Sequence, residues 1–246
     1  VDERLLLSLE QLEREHWWFV VRRRLVLEVV GGLVEDAHLR VVEVGCGTGG
    51  MLADLRARYP DARVSGIEPS QEAAVVARQS GCEVSSAYLE DLPLDKSSVD
   101  LLLALDVLEH CADDVAAARE ALRVLGAGGH VVVTVPALPS LWGPHDELNH
   151  HHRRYTRDSL SACLGEAGFE LTRCTYFNSL MLPAGYLSRI VARATGSAKM
   201  TGVELPARPV NALMRGVFGL EIPALRRTDL PLGMSLLAVG RKPAAT

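Results

Sequence analysis

Apolar residues recur along the chain with two alternating periods. Residues 3–15 place Leu5, Leu6, Leu9 and Leu12 at helix spacing, and a helical pattern continues over 22–34 to the Gly31-Gly32 pair. The period then changes. "LRVVEV" (39–44) is a short apolar run closed by glycine, the pattern of a buried strand, and a helix follows at about 50–58. "ARVSGIE" (62–68) predicts a second strand and "SQEAAVVARQS" (70–80) a helix with Ser70 as its N-cap. "CEVSSA" (82–87) and "VDLLLAL" (99–105) read as strands three and four, "DDVAAAREALRVL" (113–125) as a helix stopped by Gly126, and "GHVVVTVP" (129–136) as strand five. Beyond Pro136 a polar loop leads to a helix at about 157–167 and a sixth strand, "FELTRCTYF" (169–177). A helical stretch rich in leucine, proline and arginine covers 178–230, and a strand at 232–242 closes the chain.

Strands that alternate with helices imply parallel strands with helices on both faces. The predicted fold is α/β: a Rossmann-like, seven-stranded, mostly parallel sheet with an N-terminal helical cap and a helical insertion before the last strand. The whole of 1–246 reads as one domain, with the cap at 1–35, the core at 36–177, the insertion at 178–230 and the final strand at 231–242.

Composition changes this picture little. The chain has 246 residues, 48% of them apolar and 23% charged, as in an ordinary globule. A formal net charge of -5 argues against a protein whose main task is gripping nucleic acid. Arg22-Arg23-Arg24 and Arg153-Arg154 are the local basic patches, and they read as a solvated helix face and a loop. The five cysteines, Cys46, Cys82, Cys111, Cys163 and Cys174, form no C-x-x-C pair, so reduced thiols in a cytoplasmic protein are expected. The acidic N-terminus lacks the basic start of a secretion signal, and no run of 18 apolar residues predicts a membrane span.

Chemistry enters at "VVEVGCGTGG" (41–50). Gly45, Gly47 and Gly50 fit G-x-G-x-x-G, the dinucleotide fingerprint, while Gly45, Gly47 and Gly49 fit the G-x-G-x-G loop that holds S-adenosylmethionine. Glu68 ends the second strand where a ribose-binding carboxylate belongs in either case, or simply sets a charge at a helix N-terminus. A NAD-dependent oxidoreductase is therefore the alternative on these residues alone. "AYLEDLPLDKSSVDLLLALDVLEHCAD" (87–113), together with the glycine loop, tips the balance. Over roughly 36–242 the chain resembles the class I S-adenosylmethionine-dependent methyltransferases.

The resemblance implies S-adenosylmethionine as cofactor, with Glu43, Gly45, Cys46, Gly47, Gly49, Glu68, Tyr88, Leu89, Leu105 and Asp106 around it. Tyr88 stands where the family commonly has a carboxylate for the adenine amine, a departure that leaves stacking, backbone bonds, Glu90 or Asp91 to hold the base. The loop "HDELNHHHRRYT" (145–156) resembles a subgroup of the family through Asp146, His151, Arg153, Arg154 and Tyr155, with Asn149-His150 where that group often has a glycine. Four histidines there invite a metal reading. Adjacent residues seldom converge on one ion, however, and no H-E-x-x-H spacing is present, so no metal is expected.

Methyl transfer from a sulfonium needs no general acid, but a hydroxyl acceptor must lose its proton. His151 is the candidate base with Asp146 as its orienting carboxylate; the competing reading is that both fasten the loop. Trp17, Trp18 and Phe19 either roof the site or dock the N-terminal helix. The insertion, with Arg189 and Arg193 among large apolar residues, packs on the domain, lines an apolar acceptor pocket or makes peripheral membrane contact through 178–220. The expected function is methyl transfer to an O or N atom of a small molecule such as a sugar, secondary metabolite or lipid-like acceptor. A non-catalytic S-adenosylmethionine-binding protein remains the further alternative.

Overall fold

β4 (Val99–Leu105) is apolar at nearly every position because both of its faces are covered. Leu101, Leu103 and Leu105 enter one apolar cluster, and Val99, Leu102 and Ala104 enter the other. The computed structural model describes residues 10–33, 38–187 and 205–244. In it, β1 (Arg40–Val44) and β5 (Leu125–Pro136) flank β4 in parallel. With β2 (Arg63–Ile67), β3 (Glu83–Ser85), β6 (Glu170–Phe177) and β7 (Ser235–Arg241), the sheet order is β3-β2-β1-β4-β5-β7-β6. Only β7 breaks the parallel pattern, pairing antiparallel to both β5 and β6. The seven-stranded Rossmann-like sheet is thus as expected.

The helices are α1 (Trp17–Gly31), α2 (Gly50–Arg58), α3 (Gln71–Ala77), α4 (Asp114–Val124), α5 (Pro144–Leu148), α6 (Arg157–Ala167), α7 (Arg208–Gly219) and α8 (Glu221–Leu225). Residues 10–15 and 182–187 are also helical. Small residues of α4 (Ala117, Ala118, Ala121) let it lie close against one face of the sheet, beside Leu160 and Leu164 of α6. On the other face α1 contributes Val21, Leu25, Val26 and Val30, packed with Met51, Leu55, Phe218, Ile222 and Leu225.

Two local expectations are corrected. α1 begins at Trp17, not near residue 22, because the His16 ring caps it by accepting from Trp18 N–H at 3.3 Å. α4 ends at Val124 and runs straight into β5, so Gly126, Gly128 and Gly129 belong to a strand, not to a helix stop. The pairing there shifts register between Val99 and Leu101, and a Cβ on Gly129 would lie 3.0 Å from two backbone oxygens.

The aromatic segment docks the helix. Trp18 stacks on Phe177 of β6 and Phe218 of α7 at centroid distances of 5.7 and 5.5 Å, and Trp17 meets Phe218 edge-on at 5.8 Å. Asn211 of α7 ties the two helices by accepting from Trp17 N–H and donating to Glu15 O. Phe19 is turned instead toward Arg22, whose guanidinium carbon lies 5.4 Å from its ring centroid. Leu5, Leu6, Leu9, Arg189 and Arg193 lie outside the described residues. Among the described residues no helix is long and apolar enough to cross a membrane.

Candidate active site

The sheet order reverses between β1 and β4, and the carboxyl ends of β1, β2, β4 and β5 share one edge. Ligands of open α/β sheets bind at such a switch point. Four chain segments meet there: the glycine loop after β1, Glu68 after β2, Asp106 after β4 and the long loop after β5.

The glycine loop is shaped by packing as much as by a ligand. Gly49 has φ 85°, and a Cβ there would strike the backbone of Ala77 at 2.8 Å, so it lets α3 approach. Gly47 has φ 54° and faces a side chain instead: its Cβ would meet the carboxylate of Glu13. Glu13 reaches over the loop from residues 10–15 and accepts from Thr48 N–H at 3.0 Å. Cys46 is buried beside Gly66 and Leu52, and burial raises its thiol pKa, so it packs the loop as a neutral side chain.

All five amides from Gly45 to Gly49 donate within the protein. Gly45 and Cys46 bond Ile67 O, Gly47 bonds Glu68, Thr48 bonds Glu13 and Gly49 bonds Cys46 O. A dinucleotide's pyrophosphate needs free amides at this point. The loop from Gly45 to Gly49 would offer it none, and it would face the carboxylates of Glu13, Glu43 and Glu68. A cationic ligand fits the same surroundings. Glu43 is 2% exposed, its Oε2 has no hydrogen-bond partner, and burial pushes its pKa well up despite the nearby charges of Arg22 and Arg23. The ammonium and sulfonium of S-adenosylmethionine supply positive charge without phosphate, so the residues present fit that group and disfavour NAD.

Glu68 has a structural task beside the ribose role expected of it. One oxygen accepts from Gly47 N–H at 2.8 Å and the other from Ser70 N–H at 2.9 Å, tying the glycine loop to the start of α3. Burial raises its pKa against these bonds. Tyr88 is 68% exposed, whereas Leu89 and Leu105 are buried in the two apolar clusters.

Asp106 has φ 58°, a left-handed conformation uncommon outside glycine, at the end of β4. Its carboxylate is paired with Arg22 and accepts from Thr134 Oγ1 at 3.1 Å. Arg22 and Arg23 are therefore not a solvated face: their side chains are 11% and 12% exposed, and Arg23 pairs with Asp54 at 2.8 Å. Arg24 alone is exposed.

The loop after β5 is fastened residue by residue. Tyr155 N–H bonds Pro136 O, and its hydroxyl donates to Asp114 at 2.7 Å. Arg153 pairs with Asp114 and donates to Ala112 O. Arg154 donates to Ala137 O and, at 2.7 Å, to Oδ1 of the fully buried Asp146. Nδ1 of His151 lies 3.0 Å from that same oxygen. His150 has φ 55°, which explains why a glycine suits that position.

Two residues of the site escaped sequence reasoning. The 3₁₀ turn after β4 carries Glu109 and His110, and His152 N–H bonds Glu109 O at 2.7 Å, drawing the two loops together. The rings of His110 and His151 then meet edge-on at 4.7 Å. Glu109, His110 and His151 each offer one ligand atom, all within 4.8 Å of one another, a grouping the spacing of the loop's histidines did not suggest. Of the loop's histidines, His151 joins residues 41 and 42 positions away, a relation no local pattern carries. A separate cleft of about 340 Å³, lined by Leu25, Val29, Thr172, Ile222 and Leu225 among others, shares no residue with this cluster.

Comparison with known proteins accords with the geometry. Residues 42–133 match the family described as a methyltransferase domain. A protein of Mycobacterium tuberculosis named a probable S-adenosylmethionine-dependent methyltransferase is 32% identical over 176 residues, 70% of this chain and 62% of that protein. The chain thus spans less than two thirds of that relative's length. A ubiquinone biosynthesis O-methyltransferase of Xanthomonas axonopodis is 32% identical over 165 residues, 59% of this chain and 68% of the relative. The fold is shared with a geranyl diphosphate C-methyltransferase of Streptomyces coelicolor solved with S-adenosylhomocysteine, at a TM-score of 0.59 and 18% identity, covering 87% of this chain and 77% of that one. The chain belongs to the S-adenosylmethionine-dependent methyltransferases.

Proposed function

We propose that the chain transfers the methyl group of S-adenosylmethionine to a hydroxyl oxygen of a small molecule. One observation carries the choice of a hydroxyl. A mostly buried imidazole, His151, is held at Nδ1 by a buried carboxylate, Asp146, beside the strained end of β4. A hydroxyl acceptor needs its proton removed, and an imidazole oriented in this way can take it through Nε2. An amine acceptor needs only to be neutral and placed in line. The relative named as an O-methyltransferase points the same way.

In this reading the single domain 1–246 holds its cofactor along Gly45, Cys46, Gly47 and Gly49, with Glu43 and Asp106 near the ammonium and sulfonium and Glu68 at the ribose. Tyr88, Leu89 and Leu105 border the adenosine and methionine through backbone or exposed ring. The acceptor enters from the side of His110 and His151. α7 exposes Leu213 at 67%, and Leu220 beyond its end is 70% exposed, which makes this face the candidate for a lipid-like acceptor or membrane contact.

The test is a panel of phenols, sugars, hydroxy acids, lipid-like alcohols and amines, incubated with the chain and methyl-labelled cofactor. A labelled methyl ether supports the reading. Label found only on nitrogen or carbon overturns the hydroxyl assignment, and failure to bind S-adenosylhomocysteine overturns the methyltransferase reading itself.

A further inference from the structure

We infer that the chain binds a divalent transition-metal cation between Glu109, His110 and His151. The inference deepens the proposed function, because it rests on reading that cluster as the acceptor's end of the site. The three side chains come from two loops and bring one ligand atom each to within 4.8 Å of one another. Atoms sharing one tetrahedral ion at about 2.1 Å lie about 3.4 Å apart, so the loops need draw in by little more than about an ångström. Among the described residues no other trio of His, Cys, Asp and Glu side chains comes so close.

Glu109 is the second, independent observation. It is 0% exposed, and neither carboxylate oxygen has a hydrogen-bond partner. An acidic group buried without partners is costly unless it is neutralised by a proton or a cation. Arg22 and Arg154 lie near enough to act on it through space, but neither bonds it.

Both imidazoles are already oriented as ligands are. Asp146 holds Nδ1 of His151 at 3.0 Å, which leaves Nε2 with its lone pair. The Asn149 backbone lies against the ring of His110, which meets that of His151 edge-on at 4.7 Å. A carboxylate or backbone oxygen behind each ligating imidazole is the usual support of a metal site. Two imidazoles and one carboxylate suit Zn²⁺, Co²⁺, Mn²⁺ or Fe²⁺ better than Ca²⁺ or Mg²⁺, and three protein ligands leave positions open for an acceptor oxygen.

The cation would change how the acceptor is activated. An acceptor O–H bound to it becomes more acidic and gives its proton to solvent. The O–CH₃ bond then forms as the sulfonium S–CH₃ bond breaks, and sulfur keeps the electron pair. With the cation bound, Nε2 of His151 is a ligand; in the metal-free chain the same lone pair takes the acceptor's proton, as in the proposed function.

The experiment uses the full chain after chelator treatment, titrated with Co²⁺ and followed by visible absorption, with Zn²⁺ as competitor. A single saturable site that Zn²⁺ displaces is expected. Glu109→Gln and His151→Ala should each weaken it by about 100-fold or more, beyond the 10–100-fold typical of losing a mere supporting group. His150→Ala and His152→Ala, in the same loop but outside the trio, should bind as the unaltered chain does. No binding, binding unchanged by Glu109→Gln, or binding abolished by the two control variants overturns the inference. If the trio variants fail to fold, a Zn²⁺-induced rise in melting temperature of the unaltered chain supports the site, and its absence overturns it. Calorimetry with S-adenosylhomocysteine on the metal-free chain keeps the two readings apart, since its failure removes the methyltransferase reading while leaving the cation site standing.

Discussion

Oδ1 of Asp146 receives two donors at once, Nδ1 of His151 at 3.0 Å and Nε of Arg154 at 2.7 Å. Burial by itself would raise the pKa of Asp146. The bond from His151 and the charge of Arg154 outweigh it and bring the pKa down to about 2. An ionised carboxylate can only accept, so Nδ1 of His151 must carry a proton, and in the neutral ring the lone pair falls to Nε2. One buried residue therefore fixes both the tautomer of the candidate catalytic imidazole and the course of the loop that bears it.

His151→Ala should lower turnover by about 10²–10⁴-fold while S-adenosylhomocysteine affinity changes little. Asp146→Asn should reproduce part of that defect. It should also destabilise the fold by about 3–5 kcal/mol, because it leaves the Arg154 guanidinium buried without its counter-charge. Steady-state kinetics and urea unfolding of the two single variants and the double separate these effects. The double variant should be no slower than His151→Ala alone. Defects that multiply would show that the two residues act independently.

Gly47→Val should abolish S-adenosylhomocysteine binding. The valine must adopt φ near 54°, and its Cβ projects into the hollow now occupied by the Glu13 carboxylate. Isothermal titration of a variant shown by circular dichroism to be folded is the check, and micromolar binding would count against the loop as the cofactor's seat. Glu68→Ala should weaken binding by about 1–3 kcal/mol, partly through a ribose contact and partly by freeing Gly47 N–H.

Trp18→Ala tests docking against roofing. Trp18 is partly buried between Phe177 and Phe218, so its loss should cost about 2–3 kcal/mol, below the 3–5 of a fully buried aromatic. Chemical unfolding should show that loss with cofactor affinity nearly unchanged. A variant that keeps its stability but loses affinity would place Trp18 over the ligand instead.

His16 should make the fold sensitive to mild acid. Burial lowers its pKa from 6.5 to about 4, and its ring caps α1 through a lone pair that protonation removes. A depressed histidine contributes stability that is full above about pH 6.5 and is lost as pH falls through about 4. Melting temperatures between about pH 7.5 and pH 4.5 should fall less for His16→Asn, which keeps a capping acceptor without titrating. Parallel curves for both proteins would remove His16 from the account.

Sequence reading reached far where the signal is local. The apolar run of β4 predicts a strand covered on both sides because its period is a property of adjacent residues. Gly45, Gly47 and Gly49 all have positive φ, as their spacing in the loop suggested. The subgroup pattern of Asp146, His151 and Arg154 also proved to be a contact set, since five to eight positions of chain can fold back on themselves without help from elsewhere. The glycines at 126–129 misled because glycine marks a helix end and a bulged strand start equally well.

The rest depended on where distant segments come to lie. Nothing near Glu13 says that its carboxylate will sit on Thr48, 35 positions on, and nothing near Arg22 says that it will pair with Asp106, 84 positions on. Both follow from the docking of α1 across the sheet through Trp17 and Trp18, an energy shared with Phe177 and Phe218 from the far end of the chain. Glu109 and His151 meet for a similar reason, when the strand order sets the loops after β4 and β5 side by side. By itself the sequence determined the elements, the cofactor loop and the loop that bears His151, because hydrophobic period and turn chemistry act over a few residues. Only the tertiary structure decided which charges stand paired, which stand buried alone, and which imidazole faces which carboxylate, because those depend on packing between parts of the chain that share no local pattern.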